Sequence, residues 1–456
     1  MKEPMLAAKV VVLFAAAAIV EFDGMVMRRE FAAIIASMTM TNVISVSKSV
    51  WKRMLEFRNF HHSKVKYFSI FCISITLAAL IFIINQTTII NVTFDDVPLL
   101  NSSLTMSKAK AIAQVPSSSK PEPETSLSVP LHVSKNARIA WLKKNLPKFK
   151  IFKSDNLTKH FQDRLSKFFK EEYCEIQFFM TWFSPANSFG IREFLAVETL
   201  FNVHPRGCLV IVSRSMDSEH GFRIVKPLID RSYKVAAVRP DLDFLFRNTP
   251  AETWFHEIKT GKKDPGEISL AVSLSDLIRL AVLYKYGGVY LDTDFVTIKS
   301  FKGLRNSVGA QSADRSNRWT RLNGAVLVFD KNHPILYEFM EEFASTFDGN
   351  KWGQNGPYLV SRVVKKMEGR PGYNVSVLPP KAFYPVSWTK IGDFFKMAAN
   401  QADSKWVEAT LLKLSANTYG VHLWNKLSRG LRIEQGSVMD RLISSHCIIC
   451  HQTYNS

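Results

Sequence analysis

Acidic residues are scarce beside basic ones: 40 Asp and Glu face 59 Lys and Arg, a formal charge of +19 over 456 residues. Such a surplus suits nucleic acid, an anionic membrane or a phosphate-bearing ligand. The chain has no long basic run and no recognisable DNA- or RNA-binding signature, which argues against nucleic acid as a partner. It also lacks an internal repeat. Cysteine is limited to five residues, and Cys447-Ile-Ile-Cys450-His451 has no second CxxC beside it, which favours a terminal staple over a zinc or redox centre. The bulk composition, 46% apolar and 22% charged, is that of a chain able to bury a core, so wholesale disorder is excluded. The length admits one α/β domain of roughly 250 to 300 residues, or two or three average ones.

Only one uncharged run is long enough to span a bilayer, Tyr67 to Ile84, and no charge follows it until Asp95. Lys52, Arg53, Arg58, Lys64 and Lys66 precede it against the single Glu56, so the positive-inside rule places residues 1–66 in the cytosol and the remainder in a lumen. The expected topology is a type II signal anchor at 67–84, with the Golgi membrane as its place. The shorter apolar run Val10 to Val20 is compatible with targeting, with a cytosolic extension or with an over-long start, and these alternatives stay open. Sequons at Asn85, Asn91, Asn101, Asn156 and Asn374 fall on the lumenal side. So do Cys174, Cys208, Cys447 and Cys450, an even set with three possible pairings, whereas Cys72 lies within the span. Residues 97–135, rich in Ser, Pro and Lys, read as an extended stem, so 85–149 is expected to be a linker and 150–456 the folded domain.

From about residue 150 the texture changes. The short apolar runs 176–182, 208–213 and 233–238 are separated by stretches long enough for crossover helices, which predicts an α/β fold with a mostly parallel sheet. Ligands of such sheets collect at the carboxyl ends of the strands. The informative stretch is 273–298. Ser273 or Ser275 can cap a helix that Gly287 and Gly288 stop, and Asp276 and Arg279 share one of its faces. Val289, Tyr290 and Leu291 follow as a short strand closed by Asp292-Thr293-Asp294. Two neighbouring carboxylates at a strand end suit Mg²⁺ or Mn²⁺, hard cations that bridge carboxylates to substrate phosphates. A second triplet, Asp241-Leu242-Asp243, lacks that frame and reads as a solvated turn. For Asp276 and Arg279 the plainer reading is a surface ion pair.

Five blocks carry a resemblance: SDLIRLAVLYKYGGVYLDTDF (275–295), RLNGAVLVF (321–329), WGQNGPYLVSRV (352–363), LPPKAFYPVSW (378–388) and YGVHLWNKLSRG (419–430). In this order they resemble the DXD-containing glycosyltransferases of the α-1,4-galactosyltransferase type and their plant relatives. The resemblance implies a GT-A-type, Rossmann-like fold in a single lumenal catalytic domain, a UDP-sugar donor, Mn²⁺ or Mg²⁺, and retention of the α configuration. On these positions it implies Asp294 as the direct metal ligand, Asp292 as the residue that touches metal, ribose or sugar, and His422 as a residue that completes the metal site or bonds a phosphate. It also implies Asp276, Arg279, Asn323 and Trp424 on the donor side, where Tyr290 and the cation Lys426 are expected as well; Gln354 is a candidate for facing the positive sugar, with a tight turn as the equal reading of WGQNGP. An Asn-Gly turn is the plainer reading of Asn323, a core histidine that of His422, and packing that of Trp424 and Trp388. The expected activity moves a hexose or N-acetylhexosamine to a hydroxyl of a glycan, glycolipid or glycoprotein. A non-catalytic carbohydrate-binding or scaffold protein on the same fold is the rival reading, and a metal-dependent phosphohydrolase, which also pairs aspartates, is a third.

Overall fold

A computed structural model of the chain describes residues 129–171 and 173–450. The expected cytosolic segment, the span at 67–84, Cys72 and the sequons at Asn85, Asn91 and Asn101 lie outside the described residues. Among the described residues no helix is long and apolar enough to cross a membrane.

The three apolar runs form β1 (Gln177–Thr181), β2 (Cys208–Val212) and β3 (Lys234–Val238), paired in parallel. Helices Ile191–Val203 and Glu219–Ile229 make the two crossovers. The next strand, β4 (Gly288–Leu291), returns to the other side of β1, again in parallel. β5 (Phe295–Thr297) leaves this sheet. It is followed by β6 (Ser307–Ala313), β7 (Trp319–Phe329), β8 (Ser376–Leu378) and β9 (Gly420–His422). The seven-stranded sheet has the order β3-β2-β1-β4-β7-β6-β8, with β7 antiparallel to its neighbours, while β5 and β9 pair as a separate antiparallel ribbon. The result is the expected α/β architecture.

Strand residues alternate between two cores. Phe179, Val210, Val212 and Tyr290 pack under the helix Leu270–Tyr286, whereas Phe178, Leu209, Ile211 and Val289 pack with the helix Ile191–Val203 on the opposite face. Because both faces are covered, β2 is buried at every position and reads as a continuous apolar run.

Three expectations need correction. The helix of the informative stretch begins a turn earlier than predicted, with Ser269 in the N-cap position, so Ser273 and Ser275 lie inside it. Its stop is as predicted, since Gly287 takes a left-handed φ of 72°. Folded structure also starts before residue 150: Val129 and Leu142 are buried, the helix Lys135–Asn145 is capped by Ser134, and Arg138 grips Asp264 through two bonds of 2.6 and 2.8 Å. That helix is rich in Lys and buries Arg138, Leu142 and Asn145, of which only Leu142 is apolar, so no apolar period marks it. Third, Asp241 is no solvated turn. It caps the helix Leu242–Phe246 by accepting from Phe244 N–H at 3.0 Å, and Asp243 pairs with Lys259.

The disulfides are Cys174–Cys208 and Cys447–Cys450, the second being the terminal staple. Within that staple the N–H groups of Ile448, Ile449 and Cys450 all point at Oε1 of the fully buried Glu198, at 3.3, 2.6 and 3.3 Å. Glu198 stands on the helix Ile191–Val203, so the staple fixes the last of the described helices, Val438–His446, to that crossover.

His204 ends the same crossover helix, buried between the rings of Phe178 and Phe301, and its Nε2 accepts from Phe301 N–H at 3.2 Å. Burial pushes its pKa down to about 4, only partly opposed by Glu175. The folded state therefore holds the neutral ring, and the stability this gives is complete above the unfolded pKa of about 6.5 and is lost as pH falls toward 4. We predict a loss of the order of 2 kcal/mol over that window, after discounting for solvent screening. In urea titrations His204→Gln, which keeps an acceptor but cannot titrate, should be less stable at pH 7 yet flatter with pH. Equal pH slopes in the two proteins would remove His204 as the cause.

Candidate functional site

Strand order reverses between β1 and β4, and at the carboxyl ends of these two strands a line of hydroxyls runs inward. Thr181, the last residue of β1, has its Oγ1 2.7 Å from Ser275 Oγ and 2.8 Å from Tyr290 Oη, and Tyr290 donates on to Asp292 Oδ1 at 2.9 Å. Burial drives the Tyr290 phenol pKa upward, which keeps it a donor. Its role is thus to position Asp292.

Ser275, Asp276 and Arg279 lie within about one turn of the helix Leu270–Tyr286, which delivers them to the same place. The Arg279 guanidinium is over-determined. It donates to Gly324 O at 2.8 Å and to Ser275 O at 3.2 Å, stacks over the Tyr290 ring at 4.6 Å, and sits 3.1 Å from Asp276 and 3.2 Å from Asp292. The surface-pair reading of Asp276 and Arg279 does not hold, because both side chains are largely buried. Burial raises the Asp276 pKa to about 6 despite the attraction of Arg279, with Asp292 adding to the rise. Gly356 closes against this carboxylate: a Cβ there would come within 3.0 Å of Asp276 Oδ2.

His422 reaches the carboxylates through the ribbon, since β9 pairs Phe295 with His422. Its Nε2 lies 3.2 Å from Asp294 Oδ1 and 3.9 Å from Asp292 Oδ2. Asp294 Oδ2 accepts from Asn425 N–H at 2.8 Å. That N–H is aimed by Trp424, whose left-handed φ of 54° costs a non-glycine residue about 1–2 kcal/mol. Burial alone would lower the His422 pKa, but Asp294 and Asp292 together raise it to about 9; the same pairing holds Asp294 below its ordinary value against the opposing effect of burial.

Ligand atoms of Asp292, Asp294 and His422 all lie within 4.8 Å of one another, a donor set suited to a divalent cation. Among the described residues His422 Nδ1 has no hydrogen-bond partner, and the ring is wedged between Trp424 at 4.4 Å and Tyr384 at 5.8 Å. Packing orients the ring and the carboxylates alone engage its polar edge.

The remaining expected residues sit further out. Asn323 is not in a turn: it lies inside β7, where its amide donates to Gln311 Oε1 and accepts from Ala325 N–H. Trp424 donates from Nε1 to Val386 O, and Trp388 stands exposed. Lys426 places its ammonium 3.6 Å from the centroid of the Trp352 ring, two residues before Gln354, whose carbonyl faces Arg362. Sequence reading missed Thr181, Ser275, Tyr384, Gly356 and Asn425. The position of Thr181 at the end of an apolar run was a usable signal; the backbone role of Asn425 left none.

Two family models match the chain: "Glycosyltransferase sugar-binding region containing DXD motif" over residues 190–314, and "Alpha 1,4-glycosyltransferase conserved region" over residues 328–454. Lactosylceramide 4-alpha-galactosyltransferase of Rattus norvegicus is 33% identical over 269 residues, covering 56% of this chain and 70% of that protein. Human Alpha-1,4-N-acetylglucosaminyltransferase is 29% identical over 219 residues, 45% of this chain and 58% of that one. An uncharacterized Arabidopsis thaliana protein, At4g19900, is 32% identical over 299 residues; the match takes in 64% of this chain and 44% of the length of that relative.

One electrostatic prediction follows from the geometry. In metal-free protein, NMR should show His422 titrating near 9, and Asp294→Asn, which removes the larger of the two carboxylate contributions, should lower it. A His422 that titrates normally in the unsubstituted protein would mean that the carboxylates do not act on it.

Proposed function

The chain belongs to the α-1,4-glycosyltransferase family, and from that premise we propose that it is a retaining enzyme that moves a hexose or N-acetylhexosamine, galactose or N-acetylglucosamine favoured, from a UDP-sugar to a glycan, glycolipid or glycoprotein hydroxyl. The observation that carries the reading is the convergence of Asp292, Asp294 and His422 beside the buried Asp276–Arg279 pair at the strand ends. Asp292, Asp294 and His422 would hold Mn²⁺ or Mg²⁺, which when bound supplies Lewis-acid neutralisation of the leaving diphosphate, worth several kcal/mol. Arg279, fixed from several sides, and Asp276 would hold the hydroxyls of the donor sugar. Tyr290 fixes Asp292, and Asn425 N–H fixes Asp294, so neither carboxylate has to reorganise during reaction. Without a metal, His422 sits as a charged partner of the two carboxylates, and to serve as a ligand it would have to give up that proton. Gln354 would face the positive sugar from the loop that carries Gly356.

The test is turnover of UDP-galactose and UDP-N-acetylglucosamine against Mn²⁺ concentration, with product anomers read by NMR. Asp294→Asn and Asp294→Ala should lose about a hundredfold or more, half of the metal's contribution at 1.36 kcal/mol per decade. Asp241→Ala should cost about 1 kcal/mol of stability through its lost cap while turnover stays within about threefold. Full activity in Asp294→Ala, or equal loss in both triplets, would refute the metal site; β-linked product would refute retention.

We further propose a single-pass type II Golgi protein anchored at 67–84 with residues 85–456 lumenal, on the strength of the uncharged run and its basic flank. In sealed vesicles a C-terminal epitope should resist external protease, and its digestion would reverse the orientation.

A further inference from the structure

Two sequon asparagines, Asn156 and Asn374, fall among the described residues, and their settings differ. Asn156 opens the helix Asn156–Lys159, and the hydroxyl of its triplet, Thr158 Oγ1, is bonded to the capping Asp155 at 3.0 Å on a buried residue. This cap joins residues three apart, so it forms early and withdraws the hydroxyl that an Asn-x-Thr triplet needs. Asn374-Val375-Ser376 lies in the connection between the helix Pro357–Met367 and β8, with Asn374 and Ser376 both exposed. Its form depends on distant partners: the His333 ring bonds the backbone of Asn374, and Ser376 N–H donates to Asn306 O at 2.8 Å. Until those partners assemble, the triplet stays extended and open to modification.

Two features of the fold suit a bulky polar graft at this position. Among the described residues β8 pairs with β6 alone and ends the sheet order, which leaves an outer edge able to add a foreign strand, a hazard that proteins blunt. Beside that edge lies a cavity of about 410 Å³, lined by Asn374 itself, by Met367 and Val377, and by Tyr373 and Trp319, whose half-buried rings pack on the core. A pyranose offers C–H faces to such rings and a hydroxyl rim to water. We propose that Asn374 carries an N-linked glycan whose first sugar packs at the mouth of this cavity while the remainder covers the open edge of β8. In the covalent step the Asn374 amide nitrogen displaces a lipid diphosphate from C1 of the first N-acetylhexosamine and gives up one proton. β8 stands three strands from β4 in the sheet, so the graft serves the fold and not the polar cluster. The inference rests on the lumenal placement of residues 85–456 proposed above.

The experiment expresses the full chain with a C-terminal epitope in eukaryotic cells and reads each sequon by glycan-amidase digestion and peptide mass spectrometry. Asn374 should be occupied, with one glycan lost in Asn374→Gln and in Ser376→Ala and none lost in Asn156→Gln. Amide exchange at residues 375–378 should run about tenfold faster in Asn374→Gln than in the glycosylated chain, and a chain trimmed by endoglycosidase to its first sugar should keep most of the protection. Equal exchange in all three forms overturns the packed glycan, and a trimmed chain that exchanges as fast as Asn374→Gln overturns the place given to the first sugar. An empty Asn374 with glycans on other sequons, or with the epitope protected in sealed vesicles, overturns the site while leaving the lumenal placement standing. A protease-accessible epitope with no glycan on any sequon overturns both.

Discussion

The antiparallel pairing of β5 with β9 sets Phe295 opposite His422, and almost everything at the site depends on it. By this ribbon an imidazole from the C-terminal region meets carboxylates from the middle of the chain; Asn425 and the Asp294 it holds are 131 positions apart. Closing so long a loop has an entropic cost that three residue pairs cannot offset by their own hydrogen bonds. The offset comes from burial: Val296, Val421 and Leu423 enter one apolar cluster with Phe394, Leu414 and Met439, so the ribbon is the rim of a core. The polar side of the same residues is the site.

That polar side gathers Asp276, Arg279, Asp292, Asp294 and His422 in largely buried positions. Such clusters are poor stabilisers, because desolvation consumes much of the Coulombic gain. Here the raised pKa of Asp276 records that penalty, while the opposed displacements of His422 and Asp294 record how pairing offsets it. The donors that fix the carboxylates come from rigid backbone or a buried phenol, and Arg279 is tied to a β7 carbonyl. The cluster is arranged for a charged ligand more than for the stability of the empty protein.

The sequence made the local parts of this legible. The runs around β1, β2 and β3 stood out because strands buried on both faces read as unbroken apolar stretches, and the Gly287–Gly288 stop before β4 is a matter of permitted φ. The Asp276–Arg279 pairing was visible from helical spacing, though not its burial, which depends on Gly356 closing over it. The position of His422 rested on family likeness alone, since no periodicity records which strands pair across such a distance. Asp241 was misread because a capping aspartate and one in a solvated turn have the same local composition, and the folded start near residue 129 was missed because a single short helix with one fully buried leucine carries little periodic signal.

The crossover helix Ile191–Val203 grips the C-terminal region at two points. Glu193, at its first turn, binds Arg429 at 2.6 Å, and Glu198 receives the three staple N–H groups. Asn425, Arg429 and the last helix are thereby riveted to an element whose far face packs on the central sheet. Across the mouth, Trp352 and Gly356 ride on a loop containing Gly353 at φ 77°, which Asn355 ties to Asp348 through two bonds of 3.1 Å and whose Trp352 ring meets the Lys426 ammonium. The cleft thus resembles a vice whose bolted jaw carries the His422 imidazole, so that the polar cluster keeps its register with the sheet through the same helix that covers the sheet's other face.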